Sequence, residues 1–473
     1  MRLSHVLKNQ QTLGIDDVFE RALVLIRMRA SLPAPTCDAV MAIAYSGGLD
    51  SSALLHLAHR HAQKNGIRLV AFHVHHGLSA DADAWLQHCA SQCARLEITF
   101  AAQRVQLADA SASGIEAAAR SSRYAALGMM CRDHNVPLLL TAHHQDDQAE
   151  TVLLQLLRGS GVAGLSGMDL ANCAPDLLGD ASLVMARPLL SLSREQLARF
   201  VAKEVISHVD DASNLDTRYA RNALRHEVMP ALSRFFPGFQ HRLARTASHA
   251  QSAQRLLIEL ATQDLALCVA GEALDIRRLR TLSADRADNL LRYWFGSRGI
   301  RMPSTSWLHE MRTQLFEAKS DAQLCVTHAD CHIRRHRDHV FITPHRIEFD
   351  PEELPVISFQ WRGEAQLDFP DLNGSLLFDG AEQGVAASWL SEQTLAISLR
   401  SGGERLKLAP NRSTRALKYH YQAGNIPAWE RERLPVVRAG KKLLFAAGVG
   451  MDCHHFSSGE APCIALRWVF APA

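Results

Sequence analysis

Val40-Met41-Ala42-Ile43-Ala44-Tyr45 runs directly into Ser46-Gly47-Gly48-Leu49-Asp50-Ser51-Ser52, and Ala53-Leu54-Leu55-His56-Leu57 follows without interruption. The apolar run ahead of the glycines reads as a short buried strand. The restart after them, with hydroxyls and an aspartate in its first turn, reads as a helix. Glycine lets a backbone approach a ligand closely, and a helix start offers unpaired N–H groups at the positive end of its dipole. Such a loop is suited to phosphate. A bare Ser-Gly-Gly would serve an ordinary capped turn; the added aspartate and two serines favour a nucleotide site. No lysine follows the glycines, so this is not the GxxxxGK[ST] loop. Asp50 suits a magnesium ion bridging phosphates, because that hard cation takes carboxylate, water and phosphate oxygens.

Around this stretch the first 200 or so residues alternate strand and helix signals. Leu69-Val70-Ala71-Phe72, Ile98-Thr99-Phe100 and Val136-Pro137-Leu138-Leu139-Leu140-Thr141 read as buried strands, with helical stretches at Asp83–Arg95 and Ile115–Cys131 between them. That alternation argues an α/β fold on a parallel sheet, with ligands beyond the carboxyl ends of the strands. A second chemical signal follows the strand ending at Thr141. His143-His144 precede a helix carrying Asp146, Asp147 and Glu150. Spacings of three and four put the carboxylates on one face, where they repel unless a cation satisfies them. A solvated, capped helix start is the plain alternative.

The whole chain, at 473 residues, is long enough for two or three domains, each with its own core. Its 47% hydrophobic and 21% charged content is ordinary for a soluble protein. It shows no apolar run of membrane-spanning length and no signal-peptide core, so a cytoplasmic protein is expected. Ten scattered cysteines form no CxxC, which argues against a structural metal or a disulfide framework. The net charge of +2 is weak, but its distribution is uneven. Arginines crowd Arg218–Arg255 and Arg277–Arg301, interleaved with Phe235, Phe236, Phe239, Tyr293, Trp294 and Phe295. Positive helices with stacking rings suit a nucleic-acid backbone; solvated helix faces over an aromatic core fit equally well.

The motifs taken together resemble a known family. Ser46–Ser52 is similar to the pyrophosphate loop (PP-loop) of the ATP pyrophosphatases. With His73–Leu78, Glu116–Tyr124, HHQDDQAET (His143–Thr151), RGSG (Arg158–Gly161), DASNLDTRYARNALR (Asp211–Arg225), Arg400–Arg405 and Gly424–Arg431, it follows the order seen in the tRNA(Ile)-lysidine synthetases. Two positions depart from that pattern: His75 and Ser79 stand where the family usually has asparagine and arginine.

The resemblance implies a Rossmann-like PP-loop nucleotide-binding domain (residues 1–217), a helical tRNA-binding domain (218–345), a linker or unassigned segment (346–393) and a small α+β C-terminal tRNA-binding domain (394–473). It implies ATP with magnesium, free L-lysine, and an isoleucine tRNA with a CAU anticodon as partners, with no membrane and a homodimer left open. The wobble cytidine would be adenylated, then attacked by the lysine ε-amine to give lysidine, changing the codon read from AUG to AUA. Ser46, Gly47, Gly48, Leu49, Asp50, Ser51, Ser52, His73 and His143 would contact nucleotide. Asp50, Asp147 and Glu150 would handle lysine, metal or protons; for Asp50, magnesium and lysine compete. Arg123, or less favourably Arg120, would counter phosphate charge. Arg221, Asn222 and Arg225 would contact ATP or orient tRNA, with a salt-bridge set at a domain junction as the competing reading. Two rivals stand beside this: a tRNA thiolase of the same superfamily, disfavoured by the missing CxxC, and a non-catalytic RNA-binding protein, disfavoured by the intact loop and acids.

Overall fold

The structure, a computed structural model, describes residues 14–32, 39–75, 77, 79, 81–105, 115–210, 217–218, 220–319, 324–345, 356–457 and 462–471, with residues 115–117 as backbone only. Asp211–Asp216, Tyr219, His76, Leu78 and the Glu116 side chain, all within the motifs above, lie outside the described residues, as do 349–355. The chain divides into two compact units, residues 1–260 and 261–473.

In the first unit the opening stretch folds as read. Strand β1 (Val40–Ala44) is buried along its middle, and helix α2 (Leu49–Asn65) begins directly after Gly48, helix α1 being Ile15–Arg29. β1 pairs in parallel with β2 (Arg68–His75) on one side and β4 (Leu138–Leu140) on the other. The sheet order is β3-β2-β1-β4-β6-β5, with β3 Thr99–Arg104, β5 Ala171–Cys173 and β6 Val184–Ala186. All pairs are parallel except β5 with β6. Order reverses between β1 and β4, so a crevice opens beyond their carboxyl ends, where open α/β sheets bind ligands.

Helices α3 (Ala82–Arg95), α4 (Ile115–Asp133) and α5 (Gln145–Leu157) connect the strands, and α6 (Arg194–Lys203) follows the last of them. One face of the sheet packs with α1 and α2 through Phe19, Leu23, Ile43, Leu54 and Leu57. The opposite face packs with α4 through Val70, Phe72, Tyr124 and Leu127. Both faces are covered, which is why β1 and β4 read as continuous apolar runs rather than alternating ones.

The region expected to be helical, from 218 to 345, is only partly so. A helix of 30 residues, α7 (Phe239–Cys268), leads to α8 (Ala284–Ser297) and α9 (Thr305–Glu317). A five-stranded sheet, β7-β8-β11-β10-β9, completes it; these strands are Val269–Ala270, Ala273–Asp275, Cys325–Thr327, Cys331–His336 and His339–Pro344 in chain order. Three of the strands are only two or three residues long, too short to leave a period in the sequence. Trp294 and Phe295 are core there, against Leu308, Met311 and Ile333, and Phe239 is buried too. Phe235 and Phe236 alone of the buried-or-stacking candidates stand well exposed, at 70% and 57%.

The segment 346–393, read as a linker or left unassigned, contains regular structure among its described residues. Residues 357–390 supply β12 (Ile357–Phe359), β13 (Gln366–Phe369), β14 (Gly374–Ala381) and β15 (Val385–Ala386) to the C-terminal core. β12 pairs with β16 (Leu395–Leu399), and β14 pairs over its whole length with the last strand, β22 (Cys463–Phe470). Trp361, Phe369, Leu376 and Leu390 pack with Tyr421, Val436 and Phe445 in one cluster. The partners lie far off in sequence, so composition, rich here in Pro, Gly and acid, did not reveal the strands.

Candidate active site

Gly47 is the pivot of the loop between β1 and α2. Its φ is +86°, and a Cβ there would meet Cys89 Sγ at 2.9 Å, so both conformation and space require glycine. Val209 N–H bonds to its carbonyl at 3.0 Å, and the Ser52 hydroxyl donates to the same oxygen at 3.2 Å. Ser51 Oγ lies 3.1 Å from Ser46 Oγ and donates to Gly48 O at 3.0 Å. The hydroxyls thus hold the loop in shape while the first amides of α2 face outward for an anion. His73, at the end of β2, donates from Nδ1 to Tyr45 O at 3.0 Å and pins the strand-to-loop exit.

The second group comes from the neighbouring strand β4. His144 caps α5: its Nδ1 accepts from Asp147 N–H at 3.4 Å, and its own N–H donates to Asp147 Oδ2 at 3.0 Å. Histidine Nε2 then lies 3.5 Å from Asp50 Oδ2 and 3.4 Å from Asp147 Oδ2. Burial works against a charged ring here, but the Asp50 hydrogen bond and the charges of Asp147, Asp50 and Asp146 raise His144 above its ordinary pKa. Protonation at Nδ1 would cost the cap, so the two tendencies compete at one nitrogen. His143 goes the other way. Burial is the main cause, and with Arg187, Arg120 and Arg221 it outweighs Asp147 and pushes the ring down to about 3.

The cation that the acids demand is a pair of arginines. Arg221 Nε donates to Glu150 Oε2 at 2.7 Å and its Nη2 to Asp147 Oδ1 at 3.2 Å. Arg225 Nε donates to Glu150 Oε1 at 2.7 Å, and its Nη2 reaches Asp147 Oδ1 at 3.1 Å and Glu150 Oε2 at 3.0 Å. These bonds fully clasp Glu150, which is 1% exposed. Burial alone would raise Asp147, yet His144, Arg221, His143 and the His144 N–H together hold it below the usual carboxylate value. Arg225 sits in a π-helical turn, Leu224–Val228, continuous with the short helix Ala220–Ala223 bearing Arg221 and Asn222. Such turns re-aim side chains and recur at functional sites.

Loop and acids open on one cavity of about 380 Å³ at the β1/β4 crevice. Its wall includes Ser46, Gly48, Leu49, Asp50, Ser51, His73, Arg123, His143, Asp147 and Arg225. Gly47, Ser52, Glu150, Arg221 and Asn222 are not part of that wall; the first four brace residues that are. Of the two arginine candidates on α4, Arg123 lines the cavity, and its buried Nε has no hydrogen-bond partner among the described residues. Both guanidinium groups lie over the Tyr124 ring, and Arg120 is outside the cavity wall and donates to Tyr124 Oη at 3.5 Å. Asp50 Oδ1 is likewise buried without a partner among the described residues. Asp210, immediately ahead of the DASNLDTRYARNALR block, lines the cavity, as do Trp85 and Arg194, which carried no motif in the sequence and are brought in only by the fold.

Magnesium fits this donor set. Among the described residues no cluster of three or more ligating side chains is assembled to hold a metal alone. One free carboxylate oxygen beside a phosphate loop is what an ion held mainly by phosphates and water requires.

Comparison with known proteins agrees with this layout. Residues 25–232 match the PP-loop domain family, 274–341 the TilS substrate binding domain and 395–468 the TilS substrate C-terminal domain. The tRNA(Ile)-lysidine synthase of Burkholderia pseudomallei is 41% identical, with 93% of this chain and 95% of that protein covered. That of Ralstonia nicotianae is 40% identical over 93% and 94%. Among solved structures, a U34-tRNA thiolase from Methanococcus maripaludis with its [4Fe-4S] cluster aligns at 14% identity and a TM-score of 0.41, covering 50% of this chain and 80% of that one. Loop, acid helix, domain succession and near-full-length identity converge, and the chain belongs to the tRNA(Ile)-lysidine synthase family.

Proposed function

We propose that this cavity ligates lysine to the wobble cytidine of a CAU-anticodon tRNA(Ile), at the expense of ATP, by way of an adenylated cytidine. The observation that carries the reading is the shared cavity: a pyrophosphate loop with Asp50 and a carboxylate helix with Asp147 face the same space.

In the first step the cytidine carbonyl oxygen attacks the α-phosphorus of ATP, and the bond to pyrophosphate breaks. The first amides of α2, in a loop shaped by the Ser46, Ser51 and Ser52 hydroxyls, hold the departing pyrophosphate, and Arg123, whose Nε–H is unpartnered among the described residues, answers charge on the α-phosphate. Asp50 would hold a magnesium ion, which would supply positive charge against the separating phosphates. AMP is then a far better leaving group than the carbonyl oxygen was. In the second step the ε-nitrogen of lysine, giving up a proton, attacks the ring carbon that bears the adenylated oxygen, and the carbon–oxygen bond to AMP breaks.

Free lysine arrives charged. With a reference pKa of about 10.4, only about one ε-amine in a thousand is neutral near pH 7, a penalty of roughly 4 kcal/mol. Asp147, held below the usual carboxylate value, stays ionised and grips the ammonium. Glu150 fixes Arg225 at the cavity wall, and its direct contact with lysine requires an arginine to withdraw. Proton acceptance during attack falls to this carboxylate group. Residues 218–345 and 394–473 bind the tRNA, with exposed arginines such as Arg277 and Arg278 on its phosphates. A cytoplasmic setting suits the thiols of Cys89, Cys93, Cys131, Cys173, Cys268, Cys325, Cys331 and Cys453.

Trapping the intermediate tests the reading. With ATP labelled at the α-phosphate and no lysine, label should accumulate on tRNA(Ile) and discharge as AMP when lysine is added. Label that never joins the tRNA defeats it.

A further inference from the structure

His144 is a buried side chain that touches both halves of the site, and the steps above leave it without a role beyond capping. Its ring is 1% exposed. Serine, threonine, aspartate and asparagine are the favoured caps, so a histidine at this position calls for a reason. Its Nδ1 accepts from Asp147 N–H and therefore carries no proton in the neutral ring; the proton lies on Nε2. That nitrogen faces Asp50 Oδ2 at 3.5 Å and Asp147 Oδ2 at 3.4 Å. One N–H thus stands between the carboxylate of the pyrophosphate-loop helix and the first carboxylate of the amine-handling helix. Removing it would leave two negative groups facing each other in a poorly solvated place. With Oδ2 held, Oδ1 is the oxygen that Asp50 has to offer, and that atom is buried and unpartnered among the described residues, on a residue of the cavity wall.

We infer that His144 is a positioning residue that couples the two half-reactions: through Nε2–H it fixes Asp50 against Asp147 and turns Asp50 Oδ1 toward the nucleotide. The inference rests on the function proposed above, with Asp50 serving ATP and Asp147 serving lysine. It assigns the two ring nitrogens separate tasks, Nδ1 to the helix and Nε2 to the site.

Two substitutions separate those tasks. His144→Asn places an amide oxygen where Nδ1 stands and is a good cap, but reaches no further. His144→Gln carries an amide N–H toward the position of Nε2 and caps poorly. The measurements are thermal unfolding, KM for ATP with magnesium, KM for lysine, pyrophosphate release and lysine transfer. For His144→Asn we expect near-wild-type melting, higher KM for both ATP and lysine, and a loss in both half-reactions of roughly ten- to hundredfold, the range for groups that orient an active-site ligand. His144→Gln should melt lower yet recover much of that loss. The reverse order, with the Asn variant active and the Gln variant poor, means capping alone and overturns the inference.

A nucleotide-binding cycle with Asp50→Asn decides the matter if the Gln variant does not fold. His144→Asn should then cost little further affinity for ATP with magnesium in the Asp50→Asn background; independent losses that multiply overturn it. A wild-type protein that releases pyrophosphate but transfers no lysine would defeat the proposed function, and the Asn/Gln order in pyrophosphate release would still decide the coupling.

Discussion

Asp147 and Glu150 sit three residues apart on one helix face, and the structure gives them different surroundings. Asp147 opens on the cavity, whereas Glu150 lies beneath it with both oxygens on guanidinium groups. Asp147→Asn should therefore spare pyrophosphate release more than lysine transfer, as should Glu150→Gln; equal loss of both steps in a quench-flow assay removes their lysine-specific role. Taking away both partners of a buried carboxylate is a different matter. Arg221→Ala with Arg225→Ala leaves Glu150 buried and uncompensated, and should cost about 3 kcal/mol or more in a urea titration. An unchanged midpoint would mean that Glu150 finds water or takes up a proton.

These residues were legible as a set. Three acids after two histidines announced a need for positive charge, and DASNLDTRYARNALR held Arg221 and Arg225 as candidates. What the sequence could not convey was that the one group answers the other, because 71 to 78 residues separate the partners. The division of His143 from His144 was equally hidden. Adjacent rings end in opposite electrostatic settings only after β4 has aimed one at Thr141 and the other at α5.

At the scale of elements, strand β1, the glycine turn and α2 form the part most fully written into the chain. Gly47→Ala adds a Cβ at positive φ and against Cys89 Sγ, so it should destabilise by more than about 1 kcal/mol and weaken ATP binding. Adding Cys89→Ala should restore only part of the stability, since it relieves the contact and not the φ. Full restoration by the double change would place the whole effect in packing.

The strand-end histidine gives a pH dependence with a definite sign. His143 in the folded protein is pushed down to about 3, below its unfolded value of about 6.5, so the unfolded chain binds the proton first as pH falls. The destabilising contribution is absent above about pH 6.5 and grows as pH falls below it. His143→Asn should lose less stability than wild type between pH 7 and pH 5, read from denaturant midpoints; parallel curves would contradict the assignment. The short strands of the second unit were not legible for a plain reason. Pieces such as Val269–Ala270 and Val385–Ala386 take their identity from the strands they pair with, and β15 finds its partner only at β22, near the far end of the chain.

Over the whole molecule, the cavity and the TilS substrate-domain matches fall in different parts. The cavity is complete within residues 1–260, and the TilS substrate binding and C-terminal matches lie in residues 261–473. Arg277 pairs with Asp338 and Arg278 reaches Leu267 O, yet both side chains stay largely exposed. Arg277→Ala with Arg278→Ala should weaken tRNA binding and lower the salt slope by about 1 for each of the two arginines that neutralises a phosphate, leaving ATP affinity unchanged. An unaltered slope would assign the pair to structure. Of the aromatic candidates in this region, burial removes Trp294 and Phe295 from stacking on bases of the tRNA.

The central claim is that a pyrophosphate loop and an amine-handling acid helix work in one cavity on one tRNA. Purified protein incubated with ATP, labelled lysine and a CAU-anticodon tRNA(Ile) tests it most directly. One lysine should enter the tRNA for each pyrophosphate released, with Asp147→Asn losing the lysine before the pyrophosphate. Pyrophosphate release with no lysine in the tRNA, or sulfur transfer in its place, would contradict it.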